Sequence, residues 1–248
     1  MIVMKQSIFT ILENTSLTRD VCRMVLGGDT SAITAPGQFV NIKLEGLYLR
    51  RPISVCDYDG ETLTILYKVV GKGTAMMRDM QAGETLDVLT GLGNGYDVTV
   101  AGDAPLLIGG GVGVPPMYRL CRDLIAMGKQ VSVILGFNTK DEIFYEEEFR
   151  ALGANVTVTT VDGSYGEKGF VTGPMADMAY SYFYTCGPEP MLKAIYKTAV
   201  TGGQFSFEER MGCGFGACMG CSCKTVTGYK RICKEGPVLR KEEILWEK

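Results

Sequence analysis

Over roughly its first hundred residues the chain alternates apolar and polar positions with the period of two that marks half-buried strands. Gln38-Phe39-Val40-Asn41-Ile42-Lys43-Leu44 and Glu61-Thr62-Leu63-Thr64-Ile65-Leu66-Tyr67-Lys68 are the clearest runs, and Pro36-Gly37, Asp59-Gly60 and Ala82-Gly83 punctuate them. Short strands between tight turns predict a closed antiparallel β-barrel, interrupted by one helix over Thr74–Met80 after Gly71-Lys72-Gly73. Near residue 103 the rhythm changes. Apolar strands are predicted at Pro105–Ile108, Val131–Gly136, Asn155–Val161 and Tyr182–Thr185, with helices at Met117–Met127, Asp141–Leu152 and Pro190–Val200. Strands this apolar alternating with helices imply a parallel sheet covered on both faces. The expected fold is therefore multi-domain β plus α/β: a barrel over 1–100, a parallel α/β nucleotide-binding domain over 101–205 and a small module over 206–248.

Composition narrows the function classes. The 248 residues carry a net charge of −3 with basic residues scattered along the chain, so there is no electrostatic footprint for nucleic acid. The longest uncharged stretch, Ala104–Tyr118, contains four glycines and three prolines and is too short for a membrane span. The amino-terminal run Met1–Ser7 lacks the charged-then-apolar order of a signal peptide, and the expected location is the cytoplasm, where thiols stay reduced. Histidine is absent. That removes Ser-His and Cys-His nucleophile pairs, histidine zinc sites, Rieske clusters and imidazole proton shuttles. Chemistry must come from cofactors.

Cysteine supplies the strongest signal. Five of the nine cysteines lie between Cys213 and Cys233, and Cys213, Cys218, Cys221 and Cys233 read C-x4-C-x2-C followed by a fourth after a hairpin-sized gap. That is the plant-type [2Fe–2S] spacing. Gly212, Gly214, Gly216 and Gly220 interleave the thiols where the backbone must turn and aim N–H groups at sulfur. Four cysteines also make a structural zinc set, usually as two C-x2-C knuckles; here there is one such pair, which favours iron–sulfur. Cys223 competes with Cys221 as a ligand, since the two share a face of an extended Cys-Ser-Cys run. The C-x2-C wrap favours Cys221.

Three further motifs sit at predicted strand-to-helix turns or strand edges. Gly109-Gly110-Gly111-Val112-Gly113-Val114-Pro115-Pro116 places glycines where a strand end meets a helix amino terminus, a position suited to phosphate. It departs from G-x-G-x-x-G by a proline at 116. Cys186-Gly187-Pro188-Glu189-Pro190 is a second such turn, expected on the same sheet edge, and the two make a cleft for a nucleotide. Arg51-Pro52-Ile53-Ser54 can offer a charge-assisted donor to a pyrophosphate beside extended backbone, and Gly71-Lys72-Gly73-Thr74 opens a helix whose N–H groups can hold phosphate. Each of these alone also reads as ordinary turn or barrel structure.

In this order the motifs resemble the ferredoxin–NADP reductase superfamily. With Glu209–Cys221 and the closing Cys233-Lys234-Glu235-Gly236-Pro237-Val238, the chain resembles, over essentially its full length, the family of electron-transfer subunits of class 1B dihydroorotate dehydrogenases. The resemblance implies FAD held by Arg51, Pro52, Ile53, Ser54, Leu66, Tyr67, Lys68, Gly73 and Thr74. It implies NAD over Gly110, Gly111, Val112, Gly113 and Pro115, with Cys186, Gly187 and Pro188 near the nicotinamide side of the flavin. Cys213, Cys218, Cys221 and Cys233 would ligate the [2Fe–2S] cluster. The implied partner is an FMN-containing catalytic subunit that oxidises dihydroorotate to orotate in pyrimidine biosynthesis, two copies of each forming a heterotetramer. Gly136-Phe137-Asn138-Thr139-Lys140-Asp141, after the second parallel strand, has no arginine for a 2′-phosphate, so NAD is favoured over NADP. Two other functions stay open at this point: a reductase subunit serving a hydrogenase, sulfide or sulfite partner, and a non-enzymatic zinc-bound nucleotide sensor.

Overall fold

The computed structural model describes residues 4–246, so Met1–Val3 of the amino-terminal run and Glu247–Lys248 of the expected third module lie outside it. The alternating runs of the first part form six strands: β1 (Lys5–Ser16), β2 (Val21–Gly27), β3 (Phe39–Lys43), β4 (Arg51–Tyr58), β5 (Thr62–Lys68) and β6 (Thr85–Leu92). They close into an antiparallel barrel in the order β1-β2-β5-β4-β3-β6. Val40, Ile42, Val55, Leu63 and Ile65 fill its interior. Because side chains alternate across a strand, Asn41 between Val40 and Ile42 points outward, and its partner Pro52 on β4 points the same way. Helix α1 (Lys72–Asp79) begins at Lys72, earlier than expected, directly after Gly71.

The second part is a seven-stranded sheet. Its strands are β7 (Leu106–Gly110), β8 (Ser132–Phe137), β9 (Asn155–Thr160), β10 (Glu167–Lys168), β11 (Phe183–Cys186) and β12 (Gly203–Ser206), joined at one edge by β15 (Val238–Arg240) from the carboxyl-terminal segment. The pairings among the first six are parallel and β15 runs antiparallel to β12. Helices α2 (Pro115–Ala126) and α3 (Glu146–Ala151) cover one face, and α4 (Thr172–Asp177) and α5 (Glu189–Thr198) the other. The helix expected over Asp141–Leu152 is broken. A 3-10 turn at Lys140–Glu142 and α3 flank Phe144 and Tyr145, which are buried, with Tyr145 at φ 67°. Tyr118 packs edge-on against Tyr145 at 5.2 Å, so tertiary burial overrides the local helical pattern. Helix α4 was not expected, since Gly173-Pro174 lies within its six residues.

Barrel and sheet share one apolar interior. Val21, Cys56 and Leu66 of the barrel join Leu107, Met117 and Leu120 in one cluster, while Phe39, Leu89 and Leu92 join Ile108, Phe205 and Leu239 in another. Fully burying each such large side chain is worth roughly 1.5–3 kcal/mol. Helix α2 lies on β4, where Arg119 and Arg122 both reach the Asp57 carboxylate, at 3.3 and 2.8 Å, and Arg119 stacks over the Tyr58 ring at 3.9 Å. The carboxyl-terminal segment contributes the hairpin β13 (Ser222–Thr225) and β14 (Gly228–Arg231) before β15 covers the sheet edge. Asn94, just past β6, fixes this segment: its Nδ2 donates to Val238 O at 2.7 Å and its Oδ1 accepts from Val238 N at 3.1 Å. No helix among the described residues is long and apolar enough to cross a membrane.

Candidate redox site

The cysteine loop runs from the end of the sheet region to the hairpin, and it draws the thiols together in pairs. Cys218 lies against the Cys213 sulfur through its backbone N–H, and Cys233 against the Cys221 sulfur through its own. The Cys213 sulfur accepts from Ala217 N at 3.2 Å and Cys218 N at 3.4 Å, and the Cys221 sulfur from Cys233 N at 3.4 Å. Burial opposes ionisation of Cys213, but the N–H groups of Cys218, Phe215 and Ala217 and the Cys218 thiol outweigh it and hold this thiol down at about 6. Burial, then the neighbouring Cys221, pushes Cys233 up to about 12. Loop N–H groups that favour negative charge on one sulfur and burial that disfavours it on another suit a set of thiols that would ionise fully on binding metal, since a bound metal deprotonates a coordinating thiol outright. No three His, Cys, Asp or Glu side chains among the described residues group as one metal ion would require. The four cysteines instead lie as two pairs, Cys213 with Cys218 and Cys221 with Cys233, and a cluster of two irons would draw two sulfurs to each iron.

Cys221 and Cys233 are buried in the apolar cluster that also holds Phe39, Leu89 and Leu92 of the barrel, whereas Cys218 is exposed. Cys223 goes elsewhere. It is half-buried on β13 and lines a cavity of about 740 Å³ together with Arg51, Pro52, Gly187, Phe207 and Trp246. Burial and then Glu209 push its thiol up.

That cavity lies where all three parts of the chain meet. Arg50, Arg51 and Pro52 of the barrel form one wall, Gly187 and Glu189 at the start of α5 another, and Cys223, Lys224 and Thr225 of the hairpin a third. Arg51 and Gly73, far apart in sequence, are brought together. A Cβ on Gly73 would collide with the Arg51 guanidinium, whose Cζ would be 3.0 Å away. Thr74 Oγ1 accepts from Val70 N at 3.0 Å and Gly71 N at 3.3 Å, which holds the turn into α1. An arginine poised over a helix start is a ready cradle for a pyrophosphate. Pro52 and Ser54 face outward on β4, while Ile53 packs toward the barrel core. Leu66 and Tyr67 turn their side chains into apolar clusters on opposite faces of β5, and Tyr67 OH donates to Asn14 Oδ1 at 2.9 Å, so what this stretch offers a ligand is backbone. Lys68 is paired with Asp20 at 3.0 Å.

The two glycine turns meet as expected. Strand β11 is paired with β7, with Cys186 opposite Gly109. Gly113 packs so closely on the next turn that a Cβ there would overlap the Cys186 carbonyl and come within 2.6 Å of Gly187 N. A Cβ on Gly111 would meet open space and Val112 is exposed, while Pro115 begins α2. Burial pushes the Cys186 thiol up to about 12, so the sulfur is a neutral, apolar wall. One residue without any motif also reaches the site. Asn41, buried on β3, donates from Nδ2 to Cys213 O at 3.1 Å.

Comparison with known proteins places this geometry. Residues 208–245 match the family model "Iron-sulfur cluster binding domain of dihydroorotate dehydrogenase B", and residues 107–197 match "Oxidoreductase NAD-binding domain". A dihydroorotate dehydrogenase B (NAD(+)) electron transfer subunit of Geobacillus sp. (strain WCH70) is 41% identical, covering 98% of this chain and 100% of its own length. The protein of the same name in Fusobacterium nucleatum is 42% identical over 95% of this chain and 96% of its own. Among solved structures, a chain of the NADH-dependent reduced ferredoxin-NADP oxidoreductase superposes with a TM-score of 0.87 at 29% identity, covering 97% of this chain and 90% of that one. The ferredoxin NADP+ reductase of Neisseria gonorrhoeae shares the fold, with a TM-score of 0.69 at 18% identity over 78% of this chain and 90% of its own. At 41% and 42% identity over nearly the full length of both relatives, the chain belongs to the family of dihydroorotate dehydrogenase B (NAD(+)) electron transfer subunits.

Proposed function

We propose that this chain carries electrons from the FMN of a dihydroorotate-oxidising partner subunit, through a [2Fe–2S] cluster and FAD, to NAD. The observation that carries this reading is the pair-wise gathering of Cys213 with Cys218 and Cys221 with Cys233, in the segment whose Met211 and Cys223 line a cavity edged by Arg51, Pro52 and Gly187. When bound, the cluster supplies single-electron transfer, FAD converts between one- and two-electron steps, and NAD accepts a hydride. The chain's own residues position these groups. The four cysteines hold the cluster, and the loop N–H groups on Cys213 stabilise negative charge on sulfur. Arg51, with Gly73 and Thr74, meets the flavin pyrophosphate; Pro52, Ile53 and Ser54 and the backbone of Leu66, Tyr67 and Lys68 edge the flavin. Gly110, Gly111, Val112, Gly113 and Pro115 let the nicotinamide nucleotide approach closely, and Cys186, Gly187 and Pro188 close its far side. No side chain has to move a proton, in keeping with a chain that has no histidine.

The division at about residues 100 and 205, the heterotetramer of two subunits of each kind and a cytoplasmic location belong to the same proposal. Expression with and without the catalytic partner, followed by flavin, iron and sulfide analysis and an assay of dihydroorotate-dependent NAD reduction, tests it. Turnover only in the co-expressed complex supports the reading; a complex that oxidises dihydroorotate but never reduces NAD sinks it.

Two smaller outcomes follow from the geometry. Gly73→Ala drives a methyl into the Arg51 guanidinium. If that arginine serves the flavin pyrophosphate, FAD retention falls about tenfold, the lower range for losing a hydrogen bond to a charged group. Fluorimetric titration of the released flavin measures it, and unchanged retention removes Arg51 from the site. For the nicotinamide, catalytic efficiency with NADH is expected to exceed that with NADPH, because no arginine stands in the loop after β8. A higher efficiency with NADPH reverses the assignment.

A further inference from the structure

Asn41 joins the flavin barrel to the cluster loop in a way that no local motif announces. It is 1% exposed, and strand alternation turns it out of the barrel beside Pro52, which lines the cavity. Its Nδ2 donates to Cys213 O at 3.1 Å across 172 residues of sequence, while its Oδ1 has no hydrogen-bond partner. Leaving a buried carbonyl oxygen unpaired is costly, and the amide donates its N–H to the cluster loop all the same. The amide orientation is fixed by chemistry: the opposite flip would set Oδ1 against the Cys213 carbonyl.

Everything around Asn41 fits it to that contact. Arg50 Nη1 donates to Asn41 O at 3.2 Å and Arg50 Nη2 holds both Asp87 carboxylate oxygens at 3.0 Å, which stiffens β3 at this position. Gly214, at φ 78°, is seated directly on the amide, and a Cβ there would collide with Nδ2 and lie 3.1 Å from Cγ. At the other end of the loop Arg231 Nη1 donates to Gly216 O at 2.6 Å. The loop that aims the Ala217 and Cys218 N–H groups at the Cys213 sulfur is thus held by the barrel at residue 213 and by the hairpin at residue 216, whose carbonyl belongs to the same peptide unit as the Ala217 N–H.

We propose that Asn41 is a positioning residue for electron transfer: by clamping the Cys213 carbonyl it keeps the loop N–H groups on the Cys213 sulfur and registers that side of the cluster against the flavin-bearing strand. This rests on the reading of Cys213 as a cluster ligand. N–H donors to sulfur stabilise the more negative, reduced cluster, so loosening them lowers its reduction potential.

The test compares Asn41→Leu, Asn41→Asp and Asn94→Leu in the cofactor-loaded complex with its partner. Asn94 also ties the barrel to the carboxyl-terminal segment but touches no cysteine, so it controls for general loosening. The readouts are the cluster potential from an EPR-monitored redox titration and the line shape of the reduced cluster. Both Asn41 variants are expected to lower the equilibrium constant for cluster reduction by about tenfold, about 59 mV for a one-electron couple, with an altered spectrum. Asn94→Leu should move neither. Asn41→Asp matches the native size and is read if the leucine variant does not fold. A cluster retained at its original potential in the Asn41 variants, or an equal shift in Asn94→Leu, overturns the proposal. Absence of any cluster from the unsubstituted complex fails the underlying ligand reading instead, and with it this one.

Discussion

Cys218→Ser is expected to lower dihydroorotate-dependent NAD reduction by more than about 100-fold, the upper end of what losing even an outer-shell partner costs at a metal site. Cys218 is exposed, so the change creates no cavity in the core, and its effect should be confined to the loop. A serine hydroxyl ionises far less readily than a thiol, so the substituted position is a much poorer iron ligand, while its backbone N–H still reaches the Cys213 sulfur. Flavin should stay bound, because the Arg51 and Gly73 cradle does not include Cys218. Diaphorase activity, NADH to an artificial dye, should therefore survive while cluster absorbance and labile sulfide disappear. Cys223→Ser is the internal control. Its side chain lines the cavity rather than the thiol pairs, and the cluster should persist. A variant set with the reverse outcome, cluster lost at 223 and kept at 218, refutes the ligand assignment.

Gly113→Ala is the second large effect. A methyl at this position has no room: it would overlap the Cys186 carbonyl, which is backbone and cannot rotate away. The β7 and β11 turns must then separate. Overpacking of this kind costs about 1–3 kcal/mol in stability, which a chain with two shared apolar clusters should survive. The functional cost is larger, since a misplacement of about 1 Å in a positioning element can lower a rate about 100-fold. Expected, then, is a fall of that order in NAD reduction, with flavin and iron content and the dihydroorotate-driven reduction of the bound cofactors preserved. Stopped-flow absorbance under anaerobic conditions separates the two half-reactions. Equal loss in both, or no loss in either, means the two turns are not where the nicotinamide acts.

What the sequence disclosed was whatever depends on local chemistry. Period-two runs located β3 and β5, the glycine run located the β7–α2 turn, and cysteine spacing marked the loop between β12 and β13, because each is written in neighbouring residues. Pairings between distant segments were not readable. The break before α3 depends on Tyr145 being buried against Tyr118, and β15 reaches the sheet only because β12 leaves an edge for it. The same holds at the site. Cys223 resembles a ligand in one dimension, and only the fold turns it toward the cavity with Trp246. Asn41 looks like an ordinary polar position in an alternating strand; its role comes from a loop 172 residues away. Leu66 and Tyr67 show the opposite case, where a stretch named through resemblance proves to have buried side chains and only backbone to offer.

The most direct measurement is an anaerobic titration of the purified complex with dihydroorotate, followed by absorbance and EPR. The account predicts joint bleaching of flavin and appearance of a reduced iron–sulfur signal, both reversed when NAD is added and NADH forms. Bleaching confined to the partner's flavin, with no iron–sulfur signal and no NADH, would contradict it.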